Sequence, residues 1–171
     1  MLRLLVSGGL LLSLSIRQCR EEKKSSARAS ASPQRDTLYV AVVRTGCYGR
    51  CPIDKVELLP DGTVQYRGER FVERIGLYKR QLSEKEQMEI RQLLKEAKFE
   101  AYKEVYDDPH VTDLPSLILS YKMGSQSKQI TCRTDCPPEL PGKIEKIRSY
   151  LADQGNFQMI EGPKPEEDEN N

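Results

Sequence analysis

Five cysteines carry most of the chemistry available to this sequence: Cys19, Cys47, Cys51, Cys132 and Cys136. Four of them form two C-x3-C units, and the fifth follows an apolar N-terminal run. If Cys19 is lipidated or removed, the other four can pair completely, and in an oxidising compartment structural disulfides are the default. Three other chemistries compete. A four-cysteine zinc site tolerates this spacing, but thiols outside the cytoplasm oxidise. A redox-active pair normally uses C-x-x-C at a helix N-terminus, where the dipole lowers the thiol pKa. Cys132-Arg133-Thr134-Asp135-Cys136-Pro137 does precede a predicted helix, and Arg133 would favour a thiolate, yet the spacing is one residue too long. Free, buried cysteines are the last option. Four cysteines allow three connectivities. The spacing favours local pairs, Cys47 with Cys51 and Cys132 with Cys136, because Gly46 and Gly49 let the first loop turn tightly. Loops so short gain little from chain entropy and mainly fix local geometry.

The second group with chemistry is Asp107, Asp108, His110 and Asp113, in a polar stretch bounded by Pro115. Loop carboxylates can hold Ca²⁺, but the spacing is not that of an EF-hand. Asp caps and Asx-turns around the prolines are the plainer reading. His110 is the single histidine, so any Ser-His or Cys-His pair would have to use that ring, and nothing places a nucleophile beside it. Neither a Gly-rich phosphate loop nor a G-x-S-x-G elbow occurs. No catalytic residue, metal ligand or cofactor is therefore assigned. The net charge is +1, with both signs interleaved and no Lys/Arg block to follow a phosphate backbone, so nucleic acid is not an expected partner. Tyr39, Tyr66, Tyr78, Tyr102 and Tyr121 read as half-buried sheet residues.

Elements must position these groups outside the cytoplasm. Met1-Leu2-Arg3 gives a positive start, and residues 4–16 are almost wholly apolar or small. That run is too short to span a bilayer, which takes about 20 apolar residues, and it matches the core of a signal peptide, read as residues 1–19. Cys19 then resembles the lipidated cysteine of bacterial lipoproteins, although Arg17-Gln18 precede it where a small residue is usual. The acidic pair Glu21-Glu22 resembles the surface-export signal of some Bacteroidota lipoproteins. Cleavage at Ala29-Ser30-Ala31 or Ala27-Arg28-Ala29, or an uncleaved interfacial anchor, are the alternatives. All place the rest of the chain in the cell envelope or beyond, with the membrane as a partner through a lipid on Cys19. Residues 20–36 read as a flexible linker, 37–160 as one domain, and 161–171 as a disordered acidic tail.

Within the domain, strands are expected at 37–44, 53–59, 63–67 and from 70 to 78, with a tight turn at Pro60-Asp61-Gly62. Ser83-Glu84-Lys85-Glu86 is a capping box for a helix ending near residue 98, whose buried stripe is Ile90, Leu93, Leu94 and Ala97. Phe99 and Tyr102 close the core after it. A hairpin follows at 117–121 and 128–131, around Gly124-Ser125. A last helix carries Leu140, Ile144, Ile147 and Leu151. This order gives an α+β fold: an antiparallel β-sheet with two helices packed on one face.

The stretch Gly46-Cys47-Tyr48-Gly49-Arg50-Cys51-Pro52, then Asp61-Gly62-Thr63-Val64-Gln65-Tyr66, and later Thr112-Asp113-Leu114-Pro115, resembles the domain of unknown function 6438 family. That family comprises exported bacterial proteins, many from Bacteroidota, marked by C-x-G-x-C-P. The resemblance covers about residues 37–151 and implies export and a small α+β fold; it implies no activity. The Cys132/Cys136 pair lies outside the family's core motif. The expected function is a non-enzymatic module binding an unidentified envelope protein or ligand, with Tyr48, Arg50 and Asp113 as candidate recognition residues. The alternative is a thiol–disulfide or hydrolytic enzyme. It would need a concave pocket with a perturbed titratable group near Cys51, Asp113 or His110.

Overall fold

Alternation of apolar and polar residues fixes which face of each strand turns inward. Leu38, Val40 and Val42 are buried on β1 (Leu38–Arg44), and Asp54, Val56 and Leu58 on β2 (Ile53–Leu58). Val64 and Tyr66 are buried on β3 (Thr63–Arg70), which is followed by β4 (Gly76–Gln81). After α1 (Glu84–Ala97) come the two-residue β5 (Val105–Tyr106), the hairpin β6 (Leu117–Met123) and β7 (Gln126–Cys132), α2 (Leu140–Ala152) and β8 (Gln158–Glu161). This computed structural model describes residues 37–163. The signal segment 1–19 with Cys19, the linker 20–36 and residues 164–171 lie outside the described residues.

The strands form one sheet in the order β5-β7-β6-β1-β2-β3-β4-β8, antiparallel throughout except for β5 beside β7. Ile90, Leu94 and Ala97 of α1 and Leu140, Ile144, Ile147 and Leu151 of α2 join the buried strand residues in a single cluster, so both helices cover the same face. The other face carries Lys55, Glu57, Gln65, Arg67, Lys79 and Lys122, as an antiparallel sheet with one face in water should. The capping box of α1 forms as its residue types require: the Glu86 amide donates to the Ser83 hydroxyl, and the Ser83 amide to the Glu86 carboxylate at 2.8 Å. Lys98, left-handed at φ 52°, ends the helix and drops Phe99 into the core.

Two elements differ from the sequence reading. The strand expected from 70 to 78 is broken: β3 ends at Arg70, residues 71–75 turn back, and β4 begins at Gly76. The turn is held by Arg74, whose guanidinium lies over Tyr66, Phe157 and Tyr78, at 4.7, 4.6 and 5.9 Å from the ring centroids. It also requires Gly68, where a Cβ would stand 1.8 Å from the Arg74 carbonyl oxygen. No Gly or Pro lies between 71 and 75, although Gly68 and Gly76 flank the turn, and of the rings that hold Arg74 only Phe157 is distant in the sequence. The second difference is β8, which extends the sheet beside β4 and takes in Glu161, the first residue of the expected tail. Four residues carry too little periodicity to read as a strand; here Arg67 pairs with Glu161 at 3.4 Å and Phe157 anchors the approach.

Candidate functional site

The registers β1–β6 and β6–β7 place Arg44, Leu117 and Cys132 side by side, so one end of the sheet gathers the termini of β1 and β7 and the start of β6. Cys47 is bonded to Cys51 in the loop joining β1 to β2, and Cys132 to Cys136 in the loop leaving β7; each pair has its Cα atoms 5.8 Å apart. Both staples therefore sit at the same end. Backbone bonds fix the first loop against the 113–116 segment. Thr45 N donates to Ser116 O at 3.0 Å, Ser116 N to the Thr45 hydroxyl at 2.7 Å, and Tyr48 N to Asp113 O at 3.3 Å. Asp113, left-handed at φ 66°, turns its carbonyl to make the last of these.

Between the staples lies a cleft of about 410 Å³, lined by Arg44, Cys51, Pro52, Leu117, Cys136 and Glu145 among others. Beneath Arg44 is Asp54, a carboxylate buried to 2% exposure. Arg44 grips it with two parallel bonds, Nε to Oδ1 at 2.7 Å and Nη2 to Oδ2. The Tyr66 hydroxyl donates to it at 3.2 Å, and Arg148 lies 3.5 Å away. A buried charge of this kind persists only when its oxygens are fully engaged. Burial alone would depress the Arg44 pKa, but the bonds and charge of Asp54, with Glu145, outweigh it and raise it. Burial, then the Asp54 charge and hydrogen bond, push the Tyr66 hydroxyl up to about 12. Both shifts lock the ordinary protonation state: Arg44 stays charged and Tyr66 neutral. Neither is poised to exchange a proton near neutrality, as general acid–base work requires.

The residues singled out in the sequence divide between two places. Tyr48 stands 92% exposed at the tip of the stapled loop. Arg50 lies over the Phe71 ring at 5.5 Å, and Asp113 meets Tyr48 through its backbone rather than its carboxylate. Asp107 instead pairs with Arg133 at 2.7 Å, and Asp108 accepts the His110 amide in an Asx-turn at 2.9 Å. Among the described residues no three His, Cys, Asp or Glu side chains converge as metal ligands would. A second groove, about 520 Å³, runs between α1 and α2 past Leu93 and Tyr150 and includes neither staple.

Sequence reasoning missed four residues here. Asp54 falls in phase with Val56 and Leu58, and Arg148 in phase with Ile144 and Leu151. A charge at a core position on each of two elements was the signal for the buried pair. Phe71 and Arg70 fall within the strand expected from 70 to 78, and the β2–β3 register, which sets Arg70 opposite Ile53, carries them to Arg50.

The family described as Domain of unknown function (DUF6438) matches residues 38–151. The chain belongs to that family. The DUF6438 match spans β1 to near the end of α2, so it contains both staples, the cleft and the Asp54 network, while Phe157 and β8 fall beyond it. No curated protein matches the chain.

Proposed function

We propose that this protein is a non-enzymatic binding module of the cell envelope, tethered to the membrane by a lipid on Cys19, which captures an envelope protein or ligand through the loop at 46–52. The observation that carries the reading is Tyr48, almost fully exposed on a loop closed by a disulfide and pinned to the 113–116 segment. Leaving a tyrosine in water gains the fold nothing. A rigid loop presents it at little entropic cost to a partner, and Tyr and Arg are the residue types that dominate binding hot spots. Two local disulfides suit an oxidising compartment. Among the described residues no helix is long and apolar enough to cross a membrane.

A thiol–disulfide enzyme is the second reading, favoured by the cleft that exposes Cys51 and Cys136 together. Against it, the first staple joins two strands and α2 begins at Leu140, so neither pair opens a helix whose dipole would lower a thiol pKa. A photo-crosslinker at Tyr48, in cells, tests the first reading. Specific adducts are expected, and Arg50→Ala should diminish them with an unchanged melting temperature. Labelling with an alkyne fatty acid that disappears in Cys19→Ala would establish the tether. Absence of any Tyr48 adduct, with a staple potential well above about −300 mV, would replace the binding module by the enzyme.

A further inference from the structure

We propose that Arg50, Phe71 and Arg70 form an anion-recognising ridge beside Tyr48, and that the partner it takes is an acidic protein segment with apolar residues among its carboxylates. The proposal rests on the loop being a recognition element and adds the partner's chemistry and a second loop.

The guanidinium carbons of Arg50 and Arg70 each lie 5.5 Å from the centre of the Phe71 ring, hence no more than about 11 Å (5.5 plus 5.5) from one another. Attraction to the ring uses no N–H hydrogen bond, so each guanidinium keeps its N–H fork for another partner. Neither fork has a hydrogen bond or ion pair among the described residues; Glu69 and Glu73, exposed neighbours in the chain, pair with neither. Two cations on one ring, with no ion-pair partner among the described residues, make a site for an anion, and the N–H fork matches a carboxylate bidentately.

The ring that gathers them is itself unusual. Phe71 has φ 55°, a conformation rare for a bulky residue, and it remains 42% exposed. Strain kept at a residue that buries little points to function. The surrounding structure over-determines this conformation: the Arg74 guanidinium is seated among Tyr66, Tyr78 and Phe157, it donates to Ala152 O, and Gly68 admits the Arg74 carbonyl. The ridge is thus assembled before any partner binds. Exposed Phe71 and Tyr48 offer apolar contact that a bare oxyanion cannot use, whereas an acidic peptide with apolar side chains uses both halves.

The full chain is titrated with an end-blocked hexapeptide alternating Glu and Leu, and followed by the amide resonances of 48–51 and 70–72. A Gln–Leu hexapeptide and inorganic phosphate serve as comparators. Saturable binding of the Glu–Leu peptide is expected, at least tenfold weaker in Arg50→Ala/Arg70→Ala and weakened by salt. Lys79→Ala/Lys122→Ala, on the open sheet face, should bind as wild type does. Unchanged melting temperatures confirm that these exposed substitutions leave the fold intact. Equal binding of the Gln–Leu peptide, wild-type binding by the double-arginine variant, or displacement by equimolar phosphate each overturns the proposal. Tyr48 adducts that persist in Arg70→Ala would leave the recognition loop standing and remove the ridge. Specific peptide binding without any Tyr48 adduct would do the reverse.

Discussion

A single carboxylate illustrates how one residue can hold an architecture together. Asp54 is as buried as Val56 and Leu58, its partners in phase, and it survives there because Arg44, Tyr66 and Arg148 surround it. A buried charge that loses its only partner costs about 3–5 kcal/mol, but here Arg44 keeps Glu145, and Arg148 keeps Glu145 and Asp153. Asp54→Ala, which leaves the Tyr66 hydroxyl without its acceptor, should therefore lower unfolding free energy by about 1–3 kcal/mol in urea titration. A loss below about 1 kcal/mol would mean that water already reaches the site. Arg44, left with Glu145 alone, should also leave the cleft wall less ordered. The alternation of β2 made the position of Asp54 legible, since Ile53 to Leu58 can turn only one set of residues inward. Its partners were less legible: Arg44 and Tyr66 lie on the neighbouring strands β1 and β3, but Arg148 on α2 sits 94 residues later in the chain (148 minus 54).

At the scale of elements, what could be read was what is encoded locally. The α1 capping box is a four-residue signal, and the structure realises it. There Glu86 accepts from the Ser83 amide and hydroxyl and from Arg80, which together hold its pKa down at about 2 against an opposing burial effect. The unfolded value is about 4.3. A depressed carboxylate contributes stability that is fully present above the unfolded pKa and is lost as pH falls through the folded one. The stability gap between wild type and Glu86→Gln should thus be constant above about pH 5 and close between about pH 4.3 and pH 2. Urea midpoints measured across that range check it, and a gap unchanged down to pH 2 would contradict it. The turn at 71–75 and strand β8 could not be read this way. Both depend on Phe157, which meets Tyr66 edge-on at a centroid distance of 6.3 Å and sits 91 residues later in the chain (157 minus 66). No window over the local sequence contains both partners.

The described domain is a sheet covered on one face, and the one-faced stripes of α1 and α2 foretold that layering because a helix with a single apolar stripe needs a single surface to cover. The candidate site was legible in part: parity and spacing singled out the four cysteines, but nothing in their spacing said that the two staples would share one end of the sheet. Each closes a sequence separation of 4, and on the chain-entropy scale a loop that short contributes about 2 kcal/mol. Replacing all four cysteines by Ser should then cost roughly 4 kcal/mol if the staples act independently, and less if the shared end loosens as a unit; paired and fourfold variants in urea distinguish these. The position of β1 has a mechanical consequence. Residue 37 leads directly into this central strand, whose seven residues, at about 3.3 Å each, carry the chain roughly 23 Å to the stapled loop. Tension applied between residue 37 and Tyr48 therefore runs along the covalent backbone of a segment already drawn out, without shearing a ladder. Tension between residues 37 and 163 must tear ladders apart. In a force-extension experiment the first geometry should show no unfolding step at loads where the second unravels, so a domain held at its foot and gripped at its tip can bear a pull without losing its shape.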